Sequence, residues 1–419
     1  MNNLQKLAIQ EGIKTVGIGK KGSKPLEKDL IEKIIKEIKS RTVPDAIRGA
    51  FFAGLIMKGL TPDELRLNEA FENPVLENSD QLAKILTKDA PEKIQQLCIS
   101  LLDKQELSYE QALELGRFLM SDEKGDGARG LVASLLRVRY ETADEYQGLL
   151  QSIEETFNDS FKSAVPDGNS IIAVADPFDG VDHSNMITPV VTDYLKTLNY
   201  RVISLVGRNS GPKLFYNLYD LAQGLKASFL KSNQDLSKLT PDFGWYLDQK
   251  DLSKAMDRWV DIRRQIIKRP FMATVERFVN PCRARIVIAS AFHPPYGEKM
   301  LTLCERAEYP AAIIVRNGME GTTAFPLMRH AKILCTVKQT DGTYLRHEFM
   351  FDSQAHLGKS FEIEERLDTP SLDQNIELIR RFKSEGRTGY DIFDSRVKVT
   401  CAGLKMAIEW VESNLKKEI

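Results

Sequence analysis

The 419-residue sequence has no apolar run near the roughly 20 residues needed to span a bilayer, and its start, MNNLQKLAIQEG, lacks the basic-then-apolar pattern of a secretory signal. The expected setting is therefore the cytoplasm, with no membrane partner. Cysteine is scarce: Cys98, Cys282, Cys304, Cys335 and Cys401 are odd in number and widely spaced, with no CxxC and no histidine at zinc-type spacing. That excludes a disulfide framework and a structural zinc site, and leaves reduced, buried thiols. Net charge is also missing. A formal charge of −1 gives no overall basic surface for nucleic acid, so attraction to a polyanion must be local. What is present, 42% apolar and 28% charged residues, is enough to build packed cores, and the length divides into at least two domains.

From residue 28 to about 160, apolar positions recur at three and four residues, in 30–40, 46–59, 111–121 and 128–140. This predicts a helical domain over 1–165. Within it, DAIRGAFFAGLIMKGLTPDE (45–64) aligns without a gap onto DGARGLVASLLRVRYETADE (126–145). The two share Asp45/Asp126, Arg48/Arg129, Gly49/Gly130, Leu55/Leu136, Thr61/Thr142, Asp63/Asp144 and Glu64/Glu145. We read a duplicated helical hairpin, each copy ending in a TxDE cap.

From residue 170 the pattern changes to short, wholly apolar runs at 170–175, 201–207, 283–292 and 311–318, as in strands covered on both faces. A helical pattern at 188–200 lies between the first two, which makes a parallel crossover. Runs 331–339 and 343–351, joined by Thr340-Asp341-Gly342, read as an antiparallel hairpin. Helical spacing returns at 375–386 and 399–415. The expected fold class is α/β: an N-terminal helical domain plus a mixed, mainly parallel sheet domain (166–419) covered by helices. The stretch from about 243 to 275 is expected to be helical and to return to the domain seam.

Three segments carry residues suited to an anionic ligand. The first, ADPFDGVDHSNMITP (175–189), follows a buried strand, where ligands of open α/β sheets sit. Thr188 has an N-cap side chain and Pro189 suits the first helical position, which would leave free N–H groups for a phosphate. Asp176, Asp179 and Asp182 could hold Mg²⁺ or orient sugar hydroxyls. The plain alternative is a turn-rich loop with local Asx bonds. The second segment, VGRNSGPK (206–213), offers Gly207, Arg208, Ser210, Gly211 and Lys213. The third, 257–285, is rich in arginine, from Arg258 and Arg263 to Arg277 and Arg285; it would attract phosphate, carboxylate or a nucleic-acid backbone, unless it is a solvated face with pairs such as Asp261 with Arg264. His183 and His293 lie on loops, but no two histidines share metal-ligand spacing. GIGKKGSKPL (17–26) is either a surface arm or a lid carrying Lys20, Lys21 and Lys24.

The order of these features resembles the anthranilate phosphoribosyltransferase and nucleoside phosphorylase superfamily, over roughly residues 108 to 330. In that family a GTGGD loop followed by N-x-S-T holds the diphosphate of phosphoribosyl pyrophosphate. ADPFD (175–179) stands in its place, with Asp179 matching the Asp, Asn185 the Asn and Thr188 the Thr, and with Gly180 beside them. LVGRNSGPK is similar to the family's next loop, with Gly207, Ser210 and Lys213 as matches, and Arg263 falls where the family has its aromatic-acid-binding arginine. The resemblance implies a phosphorylated small-molecule ligand, Mg²⁺ on Asp179 and Glu320, and a homodimer through the helical domain. Pentosyl transfer would displace pyrophosphate at the anomeric carbon, with Arg208, Lys213 and the Asp179-bound ion stabilising the leaving group. The sequence departs from the pattern at Ala175, Asp176, Pro177 and Phe178 in place of GTGG, at Ile187 in place of the motif's Ser, and at EGTTAF (320–325) in place of D-G-L-D-E, where only Glu320 keeps a carboxylate. Two readings stand: a phosphoribosyltransferase-like protein binding a phosphorylated pentose at the seam, and a non-catalytic relative that binds nucleic acid.

Overall fold

The computed structural model describes residues 7–18, 22–163, 165, 170–213, 215–293 and 295–415. Lys20 and Lys21 of the proposed arm lie outside them. The chain divides into a helical unit, 1–155 with 258–275, and an α/β unit, 156–257 with 276–419. The expected boundary at 165 thus moves to 155/156. Of the stretch 243–275, Trp245–Asp248 is a strand while Gln249–Leu252, Lys254–Ile266 and Met272–Val275 are helices, and the part from Arg258 groups with the helical unit. Among the described residues no helix is long and apolar enough to cross a membrane.

The helical unit contains the duplication. Helix Lys28–Lys39 corresponds to Tyr109–Met120, and helix Asp45–Lys58 to Asp126–Arg139, with one offset of 81 taking Lys28 to Tyr109 and Asp45 to Asp126. The helices of the latter pair pack face to face through small residues. A Cβ added to Gly49 would stand 2.1 Å from the carbonyl oxygen of Gly127, and one on Gly130 would stand 1.9 Å from that of Ala46. Since Gly127 is the counterpart of Ala46, the contact is reciprocal, as across a two-fold axis. That face is satisfied within the chain, so a homodimer through this unit would need a different one.

Each copy is also closed by the same buried carboxylate. Glu64 accepts from the backbone N–H of Leu26 at 3.0 Å and of Thr61 at 2.9 Å, and pairs with Lys58 at 2.7 Å. Glu145 accepts from Leu107 at 2.9 Å and Thr142 at 2.8 Å, and pairs with Arg139 at 2.5 Å. The cap read from TxDE is therefore a tie between the helix start and a stretch of chain 38 residues upstream. Burial on its own raises the Glu64 carboxyl, but Lys58 and the two N–H donors outweigh it and hold the group below its ordinary 4.5. A depressed carboxylate stabilises the folded state above its unfolded pKa and loses that contribution as pH falls through the folded value. Melting temperatures taken across the acid range should fall below about pH 4.5, and Glu64→Gln should flatten that slope; an unchanged slope would remove Glu64 as a contributor.

The α/β unit is built on one eight-stranded sheet: β1 Ile171–Ala175, β2 Arg201–Val206, β3 Ser228–Phe229, β4 Trp245–Asp248, β5 Ile286–Ala291, β6 Ala311–Arg316, β7 Ala331–Lys338 and β8 Tyr344–Phe351. The order is β3-β4-β2-β1-β5-β6-β7-β8. The pairs from β3 through β6 are parallel, while β6–β7 and β7–β8 are antiparallel, which gives the mixed sheet and the terminal hairpin expected from the sequence. Ile172, Val202, Ile286 and Ile313 share one buried core with Leu195, Leu221, Ile379 and Leu404 of the covering helices. Helix Tyr296–Arg306 packs on β5, β6 and β7. The chain leaves β1 toward β2 and later returns to β1's other side as β5. This reversal is the switch point at which open α/β sheets leave a crevice beyond their carboxyl ends.

Candidate functional site

Four loops meet at that edge of the α/β unit. Arg277, buried at 5% exposure, fastens two of them: its guanidinium donates to the carbonyl of Ala175 at 3.0 and 2.5 Å and to that of Ser290 at 3.3 Å, pinning the ends of β1 and β5. Burial pulls its pKa down to about 10, against the charges of Asp176, Asp179 and Glu276. Asn217 ties the loop after β1 to the one after β2, donating to the carbonyls of Phe178 at 2.8 Å and Gly207 at 2.9 Å. The loops after β1 and β6 touch backbone to backbone. Gly180 has φ +80°, and a Cβ on it would meet the carbonyl of Tyr216 at 2.4 Å; Gly321 has φ +88°, and its Cβ would meet the carbonyl of Gly180 at 2.2 Å. Both positions therefore require glycine.

Inside this frame Asp176 is 1% exposed. It accepts from Thr188 Oγ1 at 2.5 Å and from the backbone N–H of Thr323 at 2.6 Å. Thr322 Oγ1 stands 3.2 Å from Thr188 Oγ1. Burial pushes the Asp176 carboxyl above its ordinary range, while the Thr188 and Thr323 donors and the Arg277 charge pull it back. The expected N-cap role of Thr188 is overturned: the helix Thr188–Thr197 begins after Ile187 with no side-chain cap, and Thr188 is its first residue. Its hydroxyl is drawn to the buried carboxylate, because an unpaired charge there costs more than an unmade cap.

The other candidates are placed as follows. Asn185 donates its backbone N–H and Nδ2 to Glu365, both at 2.9 Å, and Glu365 pairs with the buried Arg396 at 2.5 Å. Arg208 forms a two-pronged bond to Asp257, at 2.8 and 3.0 Å. Lys213 lies between Asp182 at 2.9 Å and Glu320 at 3.1 Å with only 7% of its side chain exposed. Gly207 and Ser210 are buried, and Ser210 Oγ meets no hydrogen-bond partner among the described residues; nor does Thr323 Oγ1. Asp179 is 2% exposed. Arg263 belongs to the helical unit, where its side chain is 1% exposed. The structure thus brings Asp176, Asp179, Gly180, Asn185, Thr188, Gly207, Arg208, Ser210, Lys213 and Glu320 to one unit, and Arg263 to the other.

Of the two carboxylates expected to hold Mg²⁺, Glu320 lies 3.1 Å from the Lys213 ammonium, and no group of three or more His, Cys, Asp or Glu side chains able to hold a metal occurs among the described residues. Part of the arginine-rich segment is spent internally: Arg258 pairs with Asp122, Arg264 with Asp261 at 3.9 Å, and Arg285 with Glu412 at 3.0 Å. All five cysteines are free and buried, and burial pushes the Cys98 and Cys282 thiols up to about 12, as suits inert core groups. His183 is exposed and its Nδ1 lies 3.2 Å from the carbonyl of Leu367.

Sequence reasoning counted Arg277 only among the cations of the arginine-rich segment, and passed over Asn217, Thr322 and Thr323. The last two had a readable signal, a Gly-Thr-Thr directly after a strand-like run, on the same pattern as the first two loops.

No protein-family model matches the chain. A curated protein of Aquifex aeolicus (strain VF5), described as uncharacterized, is 24% identical over 217 residues, which is 52% of this chain; the chain spans 64% of that relative's length. Among solved structures, anthranilate phosphoribosyltransferase (TrpD) from Thermus thermophilus is similar with a TM-score of 0.60 at 15% identity, covering 78% of this chain and 92% of that one. The anthranilate phosphoribosyltransferase of Saccharomyces cerevisiae in complex with PRPP and Mg is similar at a TM-score of 0.53 and 15% identity, covering 75% and 92%. Agreement at this identity is agreement of fold: the chain has a fold similar to that of the anthranilate phosphoribosyltransferases.

Proposed function

We propose that the α/β unit binds a phosphorylated pentose at the loops following β1, β2 and β6, and holds it without metal-assisted displacement of pyrophosphate. The observation that carries this reading is the position of Asp176. Its carboxylate takes the hydroxyl of Thr188 and the N–H of Thr323, donors that an incoming phosphate would otherwise use. With those donors occupied, a second anionic group finds no hydrogen bond to take at close range. The glycine-free ADPFD turn adds a proline without an N–H and a buried phenyl ring.

What remains for a ligand lies on the loops after β1, β2 and β6. Lys213 is the cation, the buried hydroxyls of Ser210 and Thr323 are donors without partners among the described residues, and Asp182 is a carboxylate that can trade its lysine for sugar hydroxyls. This set suits one phosphate and a pentose better than a diphosphate with its Mg²⁺.

The reading is tested by thermal shift with ribose 5-phosphate and with phosphoribosyl pyrophosphate, each with and without Mg²⁺. A ligand bound by the native state alone raises the melting temperature, by an amount set by its concentration over Kd. Ribose 5-phosphate should stabilise the chain equally in both conditions, and Lys213→Met should abolish the effect. A rise with phosphoribosyl pyrophosphate that depends on Mg²⁺ would restore the transferase chemistry. Absence of any shift at millimolar concentration would remove the ligand class.

A further inference from the structure

The two copies in the helical unit are not equivalent in what covers them. In the second copy Arg129 is 5% exposed, and its guanidinium donates to the carbonyls of Phe118 at 3.1 Å, Leu119 at 3.4 Å and Ser121 at 2.9 Å while lying 4.7 Å from the Phe118 ring centre. Trp259 adds an indole N–H to the Leu119 carbonyl at 3.3 Å, and Arg258 pairs with Asp122. An aromatic ring and a charge from helix Lys254–Ile266 therefore fill this place.

The same place in the first copy is a cavity of about 1260 Å³. Its lining includes Ile38 and Arg41, the counterparts of Leu119 and Asp122, and Arg48, the counterpart of Arg129. Among the described residues Arg48 makes a 3.1 Å bond to Asp45, and its buried Nε has no hydrogen-bond partner. Where the second copy has Asp122 to receive a cation, the first has Arg41. Lys84 and Lys88 add two more positive side chains at the wall, opposed by Asp45 and Glu72 on the wall and by Asp80, which pairs with Lys84 at 2.8 Å. Phe71 supplies a ring that rests on Phe52, centroids 5.3 Å apart.

From this inverted equivalence we infer that the cavity is a binding site for a nucleoside monophosphate, a planar ring carrying a negative charge, seated where Trp259 and Arg258 sit in the other copy. The ring lies against Phe71 and Ile38, and the phosphate meets Arg48, Arg41 and Lys88. Pairing the phosphate with Arg48 supplies the acceptor that its counterpart finds in backbone carbonyls. The cavity is large enough for the purpose, since small-molecule sites run to roughly 300–1,000 Å³.

Isothermal titration of the full chain with AMP, adenosine and inorganic phosphate tests this. AMP should bind more tightly than either fragment. Arg48→Gln should weaken it about tenfold or more, as loss of a hydrogen bond to a charged group does. Charge reversal at the exposed Lys88 (Lys88→Glu) should weaken it as well, without touching the core. Because AMP carries a ribose 5-phosphate, the titrations are made in the Lys213→Met background, which removes binding at the α/β unit's site and leaves this cavity to be read alone. In that background, AMP heat that is absent at millimolar ligand, or that survives both Arg48→Gln and Lys88→Glu, would overturn the inference.

Discussion

Arg396→Ala is expected to cost about 3–5 kcal/mol, which is the usual penalty for removing one partner of a buried ion pair. Arg396 and Glu365 are both fully buried, 2.5 Å apart, and Glu364 stands 3.5 Å away on the same guanidinium. Without the arginine, Glu365 keeps the two donors of Asn185 but loses its counter-charge in a low-dielectric interior. The consequence reaches the candidate site, because Glu365 is what holds Asn185 and with it the loop after β1. Urea denaturation of the variant should show a lower midpoint, and the double replacement Arg396→Met with Glu365→Gln should recover part of the loss, since it removes the unpaired charge while keeping an acceptor for Asn185. A midpoint within experimental scatter of the parent would mean that the pair contributes nothing net and that Asn185 is held by other bonds.

The second large effect belongs to the helical unit. Gly130→Val places a branched side chain where even a Cβ would stand 1.9 Å from the carbonyl of Ala46, and Gly49→Val does the same at 2.1 Å from Gly127. The obstacle is backbone on the facing helix, so no side-chain rotation relieves it and the helices must separate. Overpacking costs about 1–3 kcal/mol where side chains can yield, and this contact should reach or exceed the upper end. Because the two contacts are reciprocal, each substitution should open the same interface. The double variant should then lose less than the two single losses added together. Chemical denaturation of the single and double variants measures both points; full additivity would show that the two glycines sit in independent contacts.

The sequence was most legible where local pattern and tertiary demand agree. The duplication was readable because Asp45, Arg48, Gly49 and Glu64 each carry a constraint that recurs at Asp126, Arg129, Gly130 and Glu145. The strands were readable where both faces are buried, as at Ile171–Ala175 and Ala311–Arg316, since a run of apolar residues has no other use there. β4 was not. Four residues between a glycine and a helix give no period to count, and Trp245 and Tyr246 belong to the sheet only because β2 and β3 lie on either side. At the site, spacing brought Asp176, Asn185, Thr188 and Lys213 into one neighbourhood, but it misassigned Thr188 as a cap. A cap is a local bond, whereas the bond Thr188 makes runs to a carboxylate 12 residues away whose burial no local pattern reveals.

Sequence alone determined the class of the protein: two units, one helical and internally doubled, one α/β with a mixed sheet, and an edge of loops at the end of β1 rich in groups that bind anions. These follow from periodicity, glycine placement and residue type, which act over a few residues at a time. Only the tertiary structure decided which of those groups remain available to a ligand. Arg208, Asn185 and Thr188 are taken by Asp257, Glu365 and Asp176, while among the described residues Ser210 and Thr323 keep a hydroxyl without a partner and Arg48 a buried Nε. A charge or a hydroxyl is a binding group only if nothing nearer satisfies it, and what lies nearer is set by segments far apart in the chain.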